Sequence, residues 1–193
     1  QYRSTVTGLD LTAQYVETGQ VLCTWVGLAD RITLQQGSGT DMPFEDHAFD
    51  KAYMMHVGMN IADKVSLAKE LHRVLKPGGR LGIYDVMRVG EGDLTFPLPW
   101  SSVPDTNALS PPEEYKAALA GAGFNLLAER NRRVFAMAFF TQLRAAMANA
   151  GGPPPLGLHL LMGETTPEKI KNVVGHISEN CLAPVELIAE KPL

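Results

Sequence analysis

The chain has 193 residues, 45% of them hydrophobic and 20% charged, with a formal net charge of −4. Those values describe one globular core with room for an appended subdomain. They exclude a basic nucleic-acid footprint, because the basic residues cluster only at Arg130, Arg132 and Arg133, which read as a solvated strand end.

Thr5 to Asp10 reads as a strand ending in an acid, with Thr7 or Thr12 as candidate caps for the next helix. Ala13 to Gly27 is helical in character, although Gly19 weakens it. Ile32 to Gln36 is a second strand, running into the turn-rich loop Gly37 to Phe44 and a turn over Glu45 to Ala48. Ala52 to Met55 is a short apolar run, the pattern of a strand buried on both faces. Leu67, Ala68, Leu71, Val74 and Leu75 then recur at helical spacing. Lys76-Pro77-Gly78-Gly79 is expected to stop that helix, and Leu81 to Val86 is the next strand.

Met87 to Ser110 is a long proline-bearing segment of the kind that forms lids or binding loops. Ser110-Pro111-Pro112-Glu113 has the residues of a helix start, and that helix runs to Gly121 or Gly123. Phe124 to Glu129 is a strand, and Val185 to Lys191 is the last one. Between them lie helical patterns at Phe135 to Ala150, Leu158 to Met162 and from Thr166 onward. The whole is an α/β pattern with a helical insertion before the last strand.

Two strands joined by a helix of this length lie parallel with a right-handed crossover, and such sheets bind ligands at the carboxyl ends of their strands. His56 and Asp85 stand at two of those ends. An imidazole there is suited to act as a base or to hold substrate, and equally to bond a nearby backbone group. Asp85 is either an orienting acid or a turn acid. Cys23 reads as a small core residue and Cys181 as partly exposed, with no disulfide framework. Met54, Met55 and Met59 read as packing. His47 reads as a solvated turn residue. No spacing of histidine, cysteine and acid suggests a metal. No apolar run approaches the ~20 residues of a membrane span, and no signal peptide is visible. A cytoplasmic protein with no nucleic-acid or membrane partner is expected.

The order of these landmarks resembles the class I S-adenosylmethionine-dependent methyltransferases. The residues that carry the likeness are Asp10, the Gly37 to Phe44 loop, Phe49-Asp50, Leu75 to Arg80, Pro111 to Tyr115 and Ala122-Gly123-Phe124. Among them the chain looks most like small-molecule methylators such as the quinone and tocopherol C-methyltransferases and the sarcosine/dimethylglycine N-methyltransferases. The resemblance implies a Rossmann-like, mostly parallel sheet with helices on both faces and an antiparallel last strand. It implies a single domain over 1–193, with a lid loop at 87–110 and a helical insertion at 131–180. The first strand and glycine-rich loop of that family do not precede Asp10, so the domain is expected to be incomplete at its amino end.

The resemblance also assigns roles. Asp10 would hold the cofactor's ribose hydroxyls, where its bland alternative is a helix cap. Ser38 and Gly39 would flank the adenine edge, although serine stands where the family often has an acid. Leu11, Met42 and Met55 would lie against the cofactor. His56 is the catalytic candidate, and Trp100 and His159 are the substrate-binding candidates. The implied cofactor is S-adenosyl-L-methionine, leaving as S-adenosyl-L-homocysteine, and the implied partner is a small-molecule methyl acceptor, with homo-oligomer formation left open. The alternatives are a non-catalytic nucleotide-binding protein on the same scaffold and an NAD-dependent oxidoreductase, since Asp10 also suits a dinucleotide ribose.

Overall fold

The computed structural model describes residues 4–152 and 154–193. Its larger sheet has the order β3-β4-β6-β5, from β3 (Phe49–Met55), β4 (Leu75–Arg88), β5 (Asn125–Asn131) and β6 (Leu182–Glu190). β3 and β4 are parallel, and β6 runs antiparallel to both β4 and β5. β1 (Val6–Asp10) and β2 (Ile32–Gln36) form a separate parallel pair, joined by α1 (Ala13–Trp25). Among the described residues the strands therefore bond as two sheets, where one was expected.

Side-chain alternation explains how the larger sheet holds its helices. Leu81, Ile83 and Met87 of β4 pair with Ala189, Leu187 and Ala183 of β6, and all six are buried on one face. α2 (Lys64–Val74) and α3 (Pro112–Gly121) cover that face with Leu67, Ala68, Leu71, Tyr115, Ala118 and Leu119. Asp85 shares the parity of Ile83 and Met87, so β4 carries a carboxylate into the same apolar layer. On the opposite face Val86 and Leu182 meet Val173, Val174 and Ile177 of α6 (Thr166–Ser178). α4 (Arg133–Asn149) and the short α5 (His159–Met162) complete the insertion. Helices thus lie on both faces of this sheet, as expected.

Several local expectations change. α2 has already ended at Val74, and Leu75 is extended, so Lys76 to Gly79 belong to β4 as an irregular start, with Gly78 at φ 74°. What closes the helix is Lys191, whose Nζ donates to the carbonyls of His72 and Leu75, each at 2.7 Å. Ser110 is not a cap: α3 begins at Pro112 behind Pro111, with no side-chain cap bond. Thr12 occupies the cap position of α1 without a side-chain bond; its amide instead donates to Asp10 Oδ1 at 2.8 Å. Cys181 is buried, not partly exposed, because it lies between the loop after β4 and the start of β6. Met54 and Met59 pack as expected, but Met55 is 58% exposed, since alternation turns it away from Met54's face. The sequence expectation for His47 overlooked its partners: Nδ1 lies 3.1 Å from the Leu75 carbonyl and 3.1 Å from Lys191 Nζ.

Candidate functional site at the strand carboxyl ends

Asp10 ends β1 with Leu11 next, and Ser38 and Gly39 follow β2, its parallel neighbour. The Gly37 amide donates to the Asp10 carbonyl, which holds the two strand ends together. Asp10 is exposed and accepts from Thr12 through one carboxylate oxygen. That bond makes it a local turn former, and it leaves Asp10 Oδ2 open to a ligand hydroxyl. Leu11 beside it is 71% exposed, an apolar surface next to a free carboxylate oxygen. The Ser38 hydroxyl pairs with Thr40 Oγ1 at 2.8 Å and accepts from the Thr40 amide. It therefore already serves its own turn. Gly39 comes close to Leu67 and Ile61: a Cβ there would sit 3.3 Å and 3.6 Å from their terminal carbons. A side chain there would press on these two methyl ends, so the β2 loop passes close to α2 and to the turn after β3. Met42 is tied there as well, its amide donating to Glu70 at 2.7 Å.

Met55 and His56 occupy the end of β3. His56 has φ 55°, a left-handed conformation rare for a residue with a Cβ. Its amide donates to the Tyr84 carbonyl, and its ring meets Tyr84 edge-on with centroids 5.2 Å apart. The turn after it is held from below. Asp85 Oδ1 accepts from the Val57 amide at 2.9 Å, and Oδ2 accepts from the Gly58 amide at 3.0 Å. The Tyr115 hydroxyl donates to Oδ2 at 3.3 Å. Gly58 is required at this point, because a Cβ would lie 2.4 Å from Asp85 Oδ2 and 2.6 Å from the Tyr115 oxygen. Asp85 is therefore a buried acceptor of backbone amides that fixes the chain carrying His56, and its partners rule out a simple turn acid.

Burial sets the titration of this group. It raises the Asp85 carboxyl above the usual carboxylate range, against the opposing pull of the two amides, His56 and Tyr115. It lowers His56 below the ordinary imidazole value, with the Asp85 charge pulling the other way. Tyr115 is pushed up by burial and by the Asp85 charge. By sequence pattern Lys64 belongs to the charged face of α2, but the fold buries it. It is 3% exposed, its Nζ donates to the carbonyls of Ile61 and Ala108, and it stands 5.1 Å from the Tyr115 ring centroid. Burial lowers its pKa, opposed by Glu114 and Asp85. Through Ala108 it anchors the far end of the 87–110 loop to the start of α2. A lysine at the first position of an otherwise apolar helix face was the available signal, since such a residue faces either solvent or a buried carbonyl.

Trp100 lies partly buried in that loop, with its indole N–H donating to Asn107 Oδ1 at 3.0 Å, and it packs against the buried cluster that contains Leu98, Val173 and Ile177. His159 lies in α5, over Gly157 of its own turn; nothing brings it to His56 or Asp85. A groove of about 470 Å³ runs between α4 and α6, lined by residues such as Met137, Phe140, Arg144, Ile170 and Val174. None of the strand-end residues lines it, so it is a separate feature from the strand-end site. No helix among the described residues is long and apolar enough to cross a membrane.

A doubly wound α/β domain with an exposed carboxylate and an imidazole at its strand ends is the architecture of nucleotide-cofactor proteins. A family model described as a methyltransferase domain matches residues 1–83. The ubiquinone/menaquinone biosynthesis C-methyltransferase of Geotalea daltonii is 30% identical over 139 residues, covering 62% of this chain and 59% of that protein. The chain thus spans about three fifths of that relative's length. The geranyl diphosphate C-methyltransferase of Streptomyces coelicolor, solved with S-adenosyl-L-homocysteine, superposes with a TM-score of 0.77 at 18% identity, over 98% of this chain and 62% of that one. The cyclase SpnF superposes with a TM-score of 0.73 at 23% identity, over 98% of this chain and 67% of that one. Residues 1–83 thus match a methyltransferase domain, and the chain is similar in sequence and fold to S-adenosylmethionine-dependent methyltransferases.

Proposed function

We propose that the protein transfers a methyl group from S-adenosyl-L-methionine to a small, largely apolar acceptor at the ends of β1 to β4. The observation that carries this is Asp10, with one carboxylate oxygen open beside exposed Leu11 at the end of β1, with Met55 also exposed at the end of β3. The residues present suit an adenosyl group: a carboxylate for ribose hydroxyls, apolar side chains for a flat base, and a glycine where the loop must pass closely. When bound, the sulfonium supplies an already activated methyl. The chain's own task is then alignment and exclusion of water.

His56 is set beside that surface by Asp85, and burial favours its neutral form, the form able to take a proton from an acceptor. The 87–110 loop with Trp100, and the helical insertion at 131–180, roof the pocket in this reading. The names of the relatives, a quinone and a geranyl diphosphate methylator, support an acceptor with an apolar body.

Isothermal titration with S-adenosyl-L-homocysteine and, separately, NADH tests the reading. Binding of the homocysteine product alone is expected. Preference for NADH would overturn it. A second reading, cofactor binding without methyl transfer, is favoured by one observation: the same fold carries a protein named as a cyclase. Turnover of labelled methyl groups into an acceptor decides between them.

A further inference from the structure

His176, Glu179 and Cys181 bring their ligand atoms within 4.8 Å of one another at the end of α6. Helical spacing sets the first two on one turn. The third arrives because Asn180 adopts φ 61°, which bends the chain so that the Cys181 amide returns to the His176 carbonyl at 3.0 Å. The sequence reading expected no metal here, since the three residues straddle a helix end that spacing alone does not reveal. A second observation points into the cluster. His176 is 5% exposed, and its Nδ1 is buried without a hydrogen-bond partner. The nearest carboxylate oxygen, on Glu179, stands 3.9 Å away, too far for a hydrogen bond.

Imidazole nitrogen, thiolate and carboxylate together suit zinc-like cations, which take such ligands in four-coordinate sites with room for a water. Two of the three side chains are already occupied in holding the loop after β4. The Thr95 amide donates to His176 Nε2 at 2.9 Å, and the Cys181 thiol donates to the Glu91 carbonyl at 3.0 Å. A neutral imidazole that accepts at Nε2 carries its proton on Nδ1. A cation taking the Nδ1 lone pair therefore requires the proton on Nε2, where it would face the Thr95 N–H, donor against donor. Coordination likewise removes the Cys181 proton to solvent and ends its bond to Glu91. Both tethers and the cation compete for the same atoms.

We propose that His176, Glu179 and Cys181 bind a thiophilic divalent cation of the zinc class, and that binding frees the loop around Glu91 and Thr95. The Pro97 carbonyl remains held by Asn172 at 3.0 Å, so the loosening is confined to the loop's first part. The site is separate from the strand-end residues and does not depend on the methyl-transfer reading.

Cobalt(II) is the probe. Added to the chain, it is expected to bind at one equivalent with a thiolate-to-cobalt charge-transfer band that zinc abolishes. The band is expected to vanish in Cys181→Ser and persist in Cys23→Ser. Glu179→Ala changes an exposed residue that leaves the fold intact, and it is expected to weaken cobalt binding about tenfold or more. Exchange of the Thr95 amide is expected to speed up about tenfold with zinc. Absence of the band in folded protein, or its survival in Cys181→Ser, overturns the site. Cobalt binding with Thr95 exchange unchanged overturns the release.

Discussion

The β4–β6 body and the β1–α1–β2 unit are both rich in apolar residues, yet they use them in opposite ways. In the body, Leu75, Leu81, Met87, Leu182 and Leu187 are 0–1% exposed. In the unit only Val16 is buried, while Leu22 is 49%, Val26 67% and Trp25 77% exposed. The first region is a finished core whose side chains are fixed by packing. The second leaves apolar side chains exposed at the far end of α1 and at Leu11 beside Asp10, and it meets the body through the loop that Arg73 holds. Arg73 donates to the carbonyls of Met42 and Phe44 and pairs with Asp46 and Glu70. Stability therefore resides mainly in one region, and much of the proposed binding surface in the other.

Truncation should split the two most widely. Leu187→Ala removes a fully buried side chain facing α2 and α3, and is expected to cost about 2–5 kcal/mol in urea unfolding. Leu22→Ala, the same change at an exposed site, is expected to stay within about 0.5 kcal/mol. Equal losses would show that the unit is as well packed as the body.

Asp10→Asn should do the reverse, sparing the fold and harming binding. A charge-assisted hydrogen bond is worth roughly 1.5–3 kcal/mol, so S-adenosyl-L-homocysteine affinity is expected to fall by about one to two orders of magnitude. Asparagine ranks with aspartate at capping positions, and it can still accept from Thr12, so the melting temperature without ligand should hardly move. Unchanged affinity on calorimetry would remove Asp10 from the site.

Arg73→Lys keeps the charge but loses the fork that reaches two carbonyls and two carboxylates at once. A loss of about 1–2 kcal/mol is expected, together with faster hydrogen exchange across residues 42–46. Exchange unaltered there would mean that the loop holds the unit without Arg73.

The elements that were legible in the sequence are those whose pattern is local. Ile32 to Gln36 is a strand as expected, and Leu67, Leu71 and Val74 mark the buried stripe of α2. The glycine run was misleading: Lys76 to Gly79 looks like a helix stop, but the helix had already ended against Lys191, more than a hundred residues away. The candidate site divides in the same way. Asp10 and His56 were visible because strand ends are visible. Asp85 was visible for the same reason, but its bond to Tyr115 and the burial of Lys64 beside them were not, because they depend on β4, α2 and α3 meeting across the core. Nor was the His176 cluster, which needs the left-handed turn at Asn180 to close.

The smallest effect expected concerns the charge on Asp85, and its sign separates burial from hydrogen bonding. Burial places its folded-state pKa above the unfolded value of about 3.9. The folded form then holds the proton more tightly than the unfolded form. Its contribution to stability is fully present below the unfolded value and is lost as pH rises through the folded one. Asp85→Asn has no such titration, although its amide supplies one acceptor where the Val57 and Gly58 amides need two, a cost of about 1–3 kcal/mol. Urea unfolding of both proteins from acid to neutral pH should show the wild-type advantage shrinking as pH rises, with a slope below about 1.4 kcal/mol per unit. An advantage that instead grows with pH would mean that the amides and His56 outweigh burial. Asp85 would then be a charged clamp at every pH at which the protein is folded, and the neutral His56 that burial favours would have to be reconsidered with it.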